Sequence, residues 1–253
     1  MKKDSFLEYI SITLILLLGI LFVVKFGGPA TLRLYIQTGI GDCQKIPILC
    51  MSPEEKIINP PIDKEYISEL LPYKFPKIAI YIPKGFTVVQ DKITKVYYKK
   101  KKRQHGDATI YLFHQEPNFF ISLFPRSAKQ GIKDNYEFMK RTMYAKLNEI
   151  KNLDDTFFVI VKSIFTPDLG EQRNVKMAQF SIADKKGFIN YSLAQTSRYF
   201  DCNIINNNGD VFKVYIKDKA ATLDLNKVLA IISTVKTQWE IAEIFLNNTA
   251  ISD

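Results

Sequence analysis

The fold is decided by the stretch YFDCNIINNNGDVFKVYIK, residues 199–217. Two runs rich in β-branched and aromatic residues, 199–205 and 211–217, flank the dipeptide Asn208-Gly209, which is a strong signal of a β-hairpin turn. In the second run apolar residues alternate with polar or amphipathic ones, so that one face is buried and the other is solvated. The apolar positions are Phe212, Val214 and Ile216, with Lys213, Tyr215 and Lys217 between them. The stretch therefore predicts an antiparallel sheet.

Outward from this hairpin, β-branched and aromatic runs separated by turn residues recur along the chain. The dipeptide Pro117-Asn118 separates two of these runs and predicts a second hairpin. The further predicted strands are residues 78–82, 86–89, 95–98, 108–114, 119–124, 156–165, 175–182 and 188–194.

Helical spacing of apolar residues appears in two segments, 134–150 and 223–236, with Asp134 and Asp224 placed to cap them. A short helix of two turns is also predicted within residues 64–71. Strands with helices distributed unevenly among them predict an α+β fold, a mainly antiparallel β-sheet covered by helices. Hydrophobic residues make up 47% of the chain, which argues against disorder.

The segment YISITLILLLGILFVVKF, residues 9–26, has no charged residue between Glu8 and Lys25. A helix of 18 residues is about 27 Å long, close to the thickness of a bilayer core. The segment is therefore predicted to be one N-terminal transmembrane helix. The alternatives are a signal peptide cleaved near Gly28-Pro29-Ala30, whose apolar region is normally shorter, and an ordinary buried helix.

Cys43 and Cys50 enclose a small loop, and two ligands are too few for a closed zinc site. A disulfide is the predicted arrangement, and two unrelated buried thiols are the alternative. A disulfide implies an oxidising compartment, so the domain after the membrane segment is predicted to be extracytoplasmic and the N-terminus cytoplasmic. Cys202 is predicted to be a small apolar residue of a strand.

The chain is expected to divide into five parts. Residues 1–8 form a short tail, 9–26 the transmembrane helix, 27–76 a connector punctuated by prolines, 77–236 the α+β domain, and 237–253 a C-terminal tail.

The formal net charge of the 253-residue chain is +9 at pH 7, and five adjacent cations, Lys99, Lys100, Lys101, Lys102 and Arg103, form its most basic run. One interpretation of this run, without any binding role, is a solvated hairpin tip. The functional interpretation is a loop that docks electrostatically on an acidic protein face or on anionic lipid. Nucleic acid is disfavoured as a partner because no known binding motif accompanies the charge.

No residue is predicted to be catalytic. The histidines His105 and His114 have no nucleophile elbow near them, and Asp154-Asp155 and Asp218 are predicted to be solvated loop charges. No metal site and no cofactor are predicted.

The predicted sheet contains YIPKGF at residues 81–86, and the predicted domain ends with a hairpin followed by a helix ending IISTVK at residues 231–236. This order resembles the PsbP-like family over residues 77–236. The resemblance implies an extracytoplasmic accessory or binding domain, with no catalytic motif. The function predicted from the sequence is therefore a membrane-tethered, non-catalytic accessory or binding subunit of a larger complex. An enzyme with a site assembled from scattered residues, or an envelope-binding structural protein, is the alternative.

Overall fold

The structure of the chain is a computed structural model that describes residues 27–74, 78–92, 95–102, 106–166, 174–195 and 197–237. Within these ranges no helix has both the length and the apolar character needed to cross a bilayer. The predicted transmembrane helix, residues 9–26, and the predicted tail at residues 1–8 lie outside them. The predicted C-terminal tail, residues 237–253, also lies outside them except for Thr237, which belongs to a short strand.

The described elements are helices and strands of an α+β protein, as the sequence predicts. The helices are α1 Gly28–Gly39, α2 Lys64–Glu69, α3 Phe119–Leu123, α4 Asn135–Tyr144, α5 Leu153–Phe165 and α6 Leu225–Ser233. Short 3₁₀ helices lie at Pro47–Cys50, Pro125–Gln130 and Leu147–Glu149. The strands are β1 Glu55–Ile58, β2 Leu71–Lys74, β3 Ile78–Ile82, β4 Thr87–Lys92, β5 Lys95–Lys102, β6 Gly106–Gln115, β7 Lys176–Ile182, β8 Lys185–Leu193, β9 Arg198–Asn206, β10 Val211–Asp218 and β11 Lys236–Thr237.

The chain divides into two compact units. The first is drawn from residues 1–52 and 144–171, and the second from residues 53–143 and 172–253. The second unit contains an eight-stranded sheet in the order β1-β7-β8-β9-β10-β6-β5-β4 and a three-stranded sheet in the order β11-β3-β2. Among the described strand pairs, β1 with β7 is parallel and the other pairs are antiparallel.

The hairpin from which the fold was predicted is β9–β10. Gly209 takes φ +84° at the turn, where a side chain would be strained, and its N–H donates to Asn206 O at 3.1 Å. Along β10, Phe212, Val214 and Ile216 are buried as predicted. They join a core formed by one face of the large sheet, helix α6 and the three-stranded sheet.

The predicted helices are confirmed, with shorter bounds. The Asp134 carboxylate accepts the N–H of Glu137 at 2.7 Å, and the Asp224 carboxylate accepts the N–H of Lys227 at 2.9 Å. Helix α6 ends at Ser233, and the next residues form β11 on the edge of β3.

The prediction of a strand at residues 156–165 is wrong, because these residues belong to helix α5 in the first unit. Asn152 caps the helix by accepting the N–H of Asp155 at 2.9 Å, and Asp154 and Asp155 supply negative charge to its first turn. The segment is apolar on nearly every side, so its sequence carries no clear period with which to distinguish a helix from a strand.

The predicted hairpin at Pro117-Asn118 is also wrong. Asn118 adopts the left-handed conformation with φ 61°, and the chain then enters helix α3 instead of returning along β6. The N–H of Ser122 donates to Asn118 O at 2.9 Å, which closes a helical turn. Strand β6 pairs instead with β5 and β10.

Residues 27–76, predicted as a connector, contain regular structure. Helix α1 begins them, β1 extends the large sheet beside β7, and β2 pairs with β3. The predicted short helix is present as α2, where Asp63 accepts the N–H of Tyr66 at 2.9 Å. The prolines of this segment therefore lie between short elements of regular structure.

The first unit has a small core of its own, built from α1, α5 and the turns between them. The predicted disulfide between Cys43 and Cys50 is present beside this core. Arg33 of α1 donates to Ile150 O at 3.2 Å, which ties the helix to the 3₁₀ turn that precedes α5.

Candidate functional site

A group of polar side chains lies on the face of the large sheet opposite the apolar core. Successive residues of a strand point to opposite faces, so Cys202 and Ile204 of β9 enter the core while Asp201 and Asn203 point away from it. The members of this group, called the polar cluster below, are Asn190, Tyr199, Asp201, Asn203 and Lys213.

Strand register brings the members of the polar cluster together. Asn190 of β8 lies directly opposite Asp201, and Asn203 lies directly opposite Lys213 of β10. The Lys213 ammonium nitrogen is 3.2 Å from Asp201 Oδ1. The Asp201 side chain is 0% exposed and that of Lys213 is 20% exposed, so the lysine links a buried carboxylate to the surface.

Burial raises the pKa of Asp201, although Lys213 and Asn190 favour its charged form and lower the pKa in part. Burial and the charge of Asp201 also raise the pKa of Tyr199 far above its ordinary value. The phenol is therefore neutral at physiological pH, and the Asp201 carboxyl takes up a proton more readily than an exposed aspartate does.

Several polar atoms of the cluster are buried without a hydrogen-bond partner among the described residues, and three of them lie outside the contacts of Asp201 with Lys213 and Asn190. They are Asn190 Oδ1, Tyr199 Oη and Asn203 Nδ2. Buried polar atoms are nearly always paired, with protein or with ordered water. The cluster thus has both acceptor and donor capacity left over, which is unusual for a purely structural network.

Tyrosine rings border the polar cluster on the side toward β6. The Tyr215 ring centroid lies 6.3 Å from that of Tyr199 and 5.7 Å from that of Tyr111. Tyr215 and Tyr111 are half-buried, so this border reaches the surface of the sheet.

The sequence did not point to the polar cluster, because its members are far apart along the chain and only the strand register unites them. One signal was present. Asp201 and Asn203 alternate with apolar residues in a predicted strand, which places a carboxylate and an amide together on the face opposite the apolar one.

His114 lies in β6 and is buried. Its Nε2 is 2.9 Å from Asp210 Oδ1, and Asp210 Oδ2 accepts a hydrogen bond from Asn206 Nδ2 at 3.1 Å. These contacts fasten the β9–β10 turn to β6. His105, the other histidine considered in the sequence, lies outside the described residues.

Asp218 was predicted to be a solvated loop charge, and this is wrong. It is buried, and its Oδ2 accepts the N–H groups of Thr222 at 2.6 Å and Leu223 at 2.8 Å. It therefore shapes the turn that leads into α6. Asp154 and Asp155 lie at the start of α5, where Asp155 also accepts the N–H of Lys151 at 3.0 Å.

The basic run is mostly strand and was wrongly predicted to be a loop. Lys99 to Lys102 form the end of β5, with Lys99 opposite Thr109 and Lys102 opposite Gly106 in β6. Strand pairing is made by backbone hydrogen bonds, which lysine forms like any other residue except proline, so a run of lysines does not by itself end a strand. Arg103 lies outside the described residues.

A shallow cavity of about 170 Å³ opens where β7 and β8 run side by side. This volume is below the roughly 300 Å³ at which sites for small organic ligands begin. No carboxylate and no histidine is among the residues that line it, which are Asn174, Lys176, Tyr191, Ser192, Leu193 and Ala194.

Comparisons with known proteins place the chain in no family. No family model matches the sequence, and no curated protein matches it. A crystal structure from Bacteroides thetaiotaomicron is similar at 8% identity and a TM-score of 0.31, over 64% of this chain. The match spans 45% of that protein, less than half of its length, and a likeness this distant carries no functional argument.

Proposed function

We propose that this chain is a membrane-tethered, extracytoplasmic binding or accessory subunit of a larger membrane-associated complex, and that it is not an enzyme. The observation that carries the proposal is the Cys43–Cys50 disulfide, which follows the apolar segment of residues 9–26. Disulfides persist in oxidising compartments, so a disulfide after a membrane segment supports an outside location for the folded part of the chain.

Three further features support binding over catalysis. The described cavity at β7 and β8 is small, and neither a carboxylate nor a histidine, the groups most often used as general acids and bases, is among the residues that line it. The chain carries a net charge of +9, with five cations adjacent in sequence from Lys99 to Arg103, which suits an acidic protein face or anionic lipid. The resemblance to PsbP-like proteins, a family without a catalytic motif, points to the same role.

Protease protection tests the location. Protease added to intact cells should digest the part of the chain after residue 26 and leave the N-terminal tail and the membrane segment protected. Digestion that occurs only after lysis would reverse the topology and remove the basis of the proposal.

Purification in mild detergent, with and without prior chemical crosslinking, tests the partner. A partner in a fixed stoichiometry is expected. Recovery of the chain alone under several gentle conditions, with no crosslinked product, would contradict the role of a subunit.

The basic run can be tested separately by replacing Lys99, Lys100, Lys101, Lys102 and Arg103 with glutamine. Binding to the captured partner or to anionic vesicles should weaken, and its dependence on salt should become shallower, while thermal stability changes little. Equal binding of both versions at every salt concentration would rule out docking through this run.

The matched control removes five positive charges that are exposed and dispersed over the second unit. These are Lys56, Lys64, Lys84, Lys217 and Lys219, again replaced with glutamine. If the control weakens binding as much as the basic-run variant does, net charge and not the run is responsible.

An enzyme is the second candidate, because the polar cluster combines a raised pKa at Asp201 with unpaired buried polar atoms, a combination that is frequent at catalytic sites. Asn is a neutral mimic of protonated Asp, so Asp201→Asn should raise the stability of the fold at neutral pH if ionisation there is unfavourable. Each pKa unit above the ordinary value corresponds to about 1.4 kcal/mol.

The effect of Asp201→Asn on function can be measured separately from its effect on the stability of the fold. A gain in stability in Asp201→Asn together with loss of partner binding or of any detected turnover would assign a functional role to the polar cluster. A fall in stability would show instead that the ion pair with Lys213 is structural, and it would count against the second candidate.

A further inference from the structure

Helix α1 exposes a face that has no charged residue. A helix turns by about 100° per residue, so the face covers an arc of about 140°. Its exposed members are Ala30, Thr31, Leu34, Tyr35 and Thr38. Two of them are large and prominent, because Leu34 is 60% exposed and Tyr35 is 74% exposed.

The opposite side of α1 packs within the first unit. Ile36 is buried in the small core, and Arg33, the one charged residue of the helix, donates to Ile150 O at 3.2 Å. The usual arrangement of a surface helix, charged residues outward and apolar residues inward, is thus partly reversed. An outward face of this kind marks a surface that meets something less polar than water.

The position of α1 in the chain indicates what that surface meets. The predicted transmembrane segment ends at residue 26, and α1 begins at Gly28. A helix of 12 residues is about 18 Å long, so every residue of α1 lies within about 20 Å of the point where the chain leaves the bilayer. No spacer separates the two segments.

We propose that the uncharged face of α1 lies against the membrane, in the boundary between lipid headgroups and acyl chains. This inference rests on the proposed membrane tether. Tyrosine is enriched at that depth because its ring is apolar and its hydroxyl is polar, and leucine adds apolar area beside it. The first unit also exposes Leu153 and Ile164 on α5, at 64% and 70%, which adds further apolar surface to the same unit.

Depth-dependent fluorescence quenching tests the proposal in the full-length chain. The single tryptophan, Trp239, is first replaced with phenylalanine, and Tyr35→Trp then introduces a reporter on the uncharged face. The chain is reconstituted into phosphatidylcholine vesicles whose acyl chains carry bromine either near the headgroup or near the bilayer centre.

The tryptophan at position 35 should lose more fluorescence to the shallow bromines than to the deep ones. Leu34 lies near the centre of the uncharged face, so Leu34→Trp in the same background is a second reporter. Leu32→Trp is its matched control, since position 32 is about 200° around the helix from position 34, only two residues away, and about 60° outside the face. It should lose distinctly less.

Equal quenching at positions 34 and 32, or none at positions 34 and 35, would overturn the inference. Extraction at alkaline pH distinguishes this result from failure of the tether. A chain that stays in the vesicles while its position-35 tryptophan is unquenched refutes only the contact of α1 with the membrane. A chain released from the vesicles refutes the tether itself. Crosslinking between two copies through this face, without lipid quenching, also overturns the inference.

Discussion

Lys162 of α5 should make the stability of the fold rise with pH across the neutral range. Its side chain is completely buried in the first unit, where Nζ donates to Met51 O at 2.6 Å and Ala145 O at 2.8 Å. Burial, with a smaller contribution from the charge of Lys146, lowers the pKa of Lys162 to about 7 from its ordinary value near 10.5.

The direction of the effect follows from proton counting. Between pH 7 and pH 10 the unfolded chain keeps the proton on Lys162, whereas the folded chain has released it. The unfolded state then binds more protons, so the free energy of unfolding increases as pH rises through this window. From pH 6 to pH 9 the contribution of Lys162 amounts to about 2 to 3 kcal/mol, after which ionisation of other groups intervenes.

Replacing Lys162 with methionine isolates this contribution. The variant loses two hydrogen bonds to backbone carbonyls, at a cost of about 1 to 3 kcal/mol each that does not vary with pH. Its overall stability is therefore not diagnostic, but its pH dependence is. The difference in unfolding free energy between the wild type and Lys162→Met should change by about 2 to 3 kcal/mol between pH 6 and pH 9, in favour of the wild type at the higher pH.

The measurement is urea unfolding of the full-length chain in mild detergent, followed by circular dichroism, with hydrogen exchange of α5 as a local readout. Lys151→Met, which removes an exposed lysine of the same unit, is the control and should leave the pH dependence unaltered. Parallel pH curves for the wild type and Lys162→Met would refute the reasoning, because they would mean that the ammonium group is not desolvated by the fold.

Three further changes test the packing of the chain, each by the midpoint of urea unfolding. Gly187→Ala should lower the free energy of unfolding by at least about 2 kcal/mol, because an added Cβ would stand 2.0 Å from a backbone carbonyl oxygen of β9. Gly39→Ala, whose added Cβ would have no atom within 4 Å, should leave the free energy of unfolding nearly unchanged. Asp218→Ala should lower the free energy of unfolding by about 2 to 4 kcal/mol, because backbone N–H groups of its turn lose their acceptor. An unchanged urea midpoint would mean that water replaces the carboxylate as the acceptor. Replacing Cys43 and Cys50 with serine should lower the free energy of unfolding by about 2 kcal/mol. Reductant should lower the urea midpoint of the wild type to that of the variant and should not change the midpoint of the variant.

Local patterns predicted the strands whose two faces differ. The alternation along β10 and the Asn208-Gly209 turn are direct consequences of a buried face and a tight hairpin, so they can be read from neighbouring residues. Helix α5 shows where this fails. Because Phe158, Val159 and Val161 are buried and Ile164 is exposed, apolar residues occupy both sides of the helix and their period is obscured.

The polar cluster could not be predicted from local pattern, because its residues meet only through strand register. Asn190 and Lys213 are 23 positions apart in sequence, yet both lie next to the β9 residues Asp201 and Asn203. Register depends on which strands pair, and that is a property of the whole sheet. For a related reason β1 escaped prediction, since its partner β7 lies more than a hundred residues further along the chain.

The parallel pairing of β1 with β7 also sets an order of events during synthesis. Glu55 pairs with Ala178, a separation of 123 residues, so the ladder cannot begin to form until the second of these has been made. At about 5 to 20 residues per second, the ribosome takes roughly 6 to 25 s to cover that distance. Throughout this interval β1 has no strand to join, although the residues of the disulfide loop just before it have already emerged. Closure of the sheet at this edge is accordingly a late step of folding.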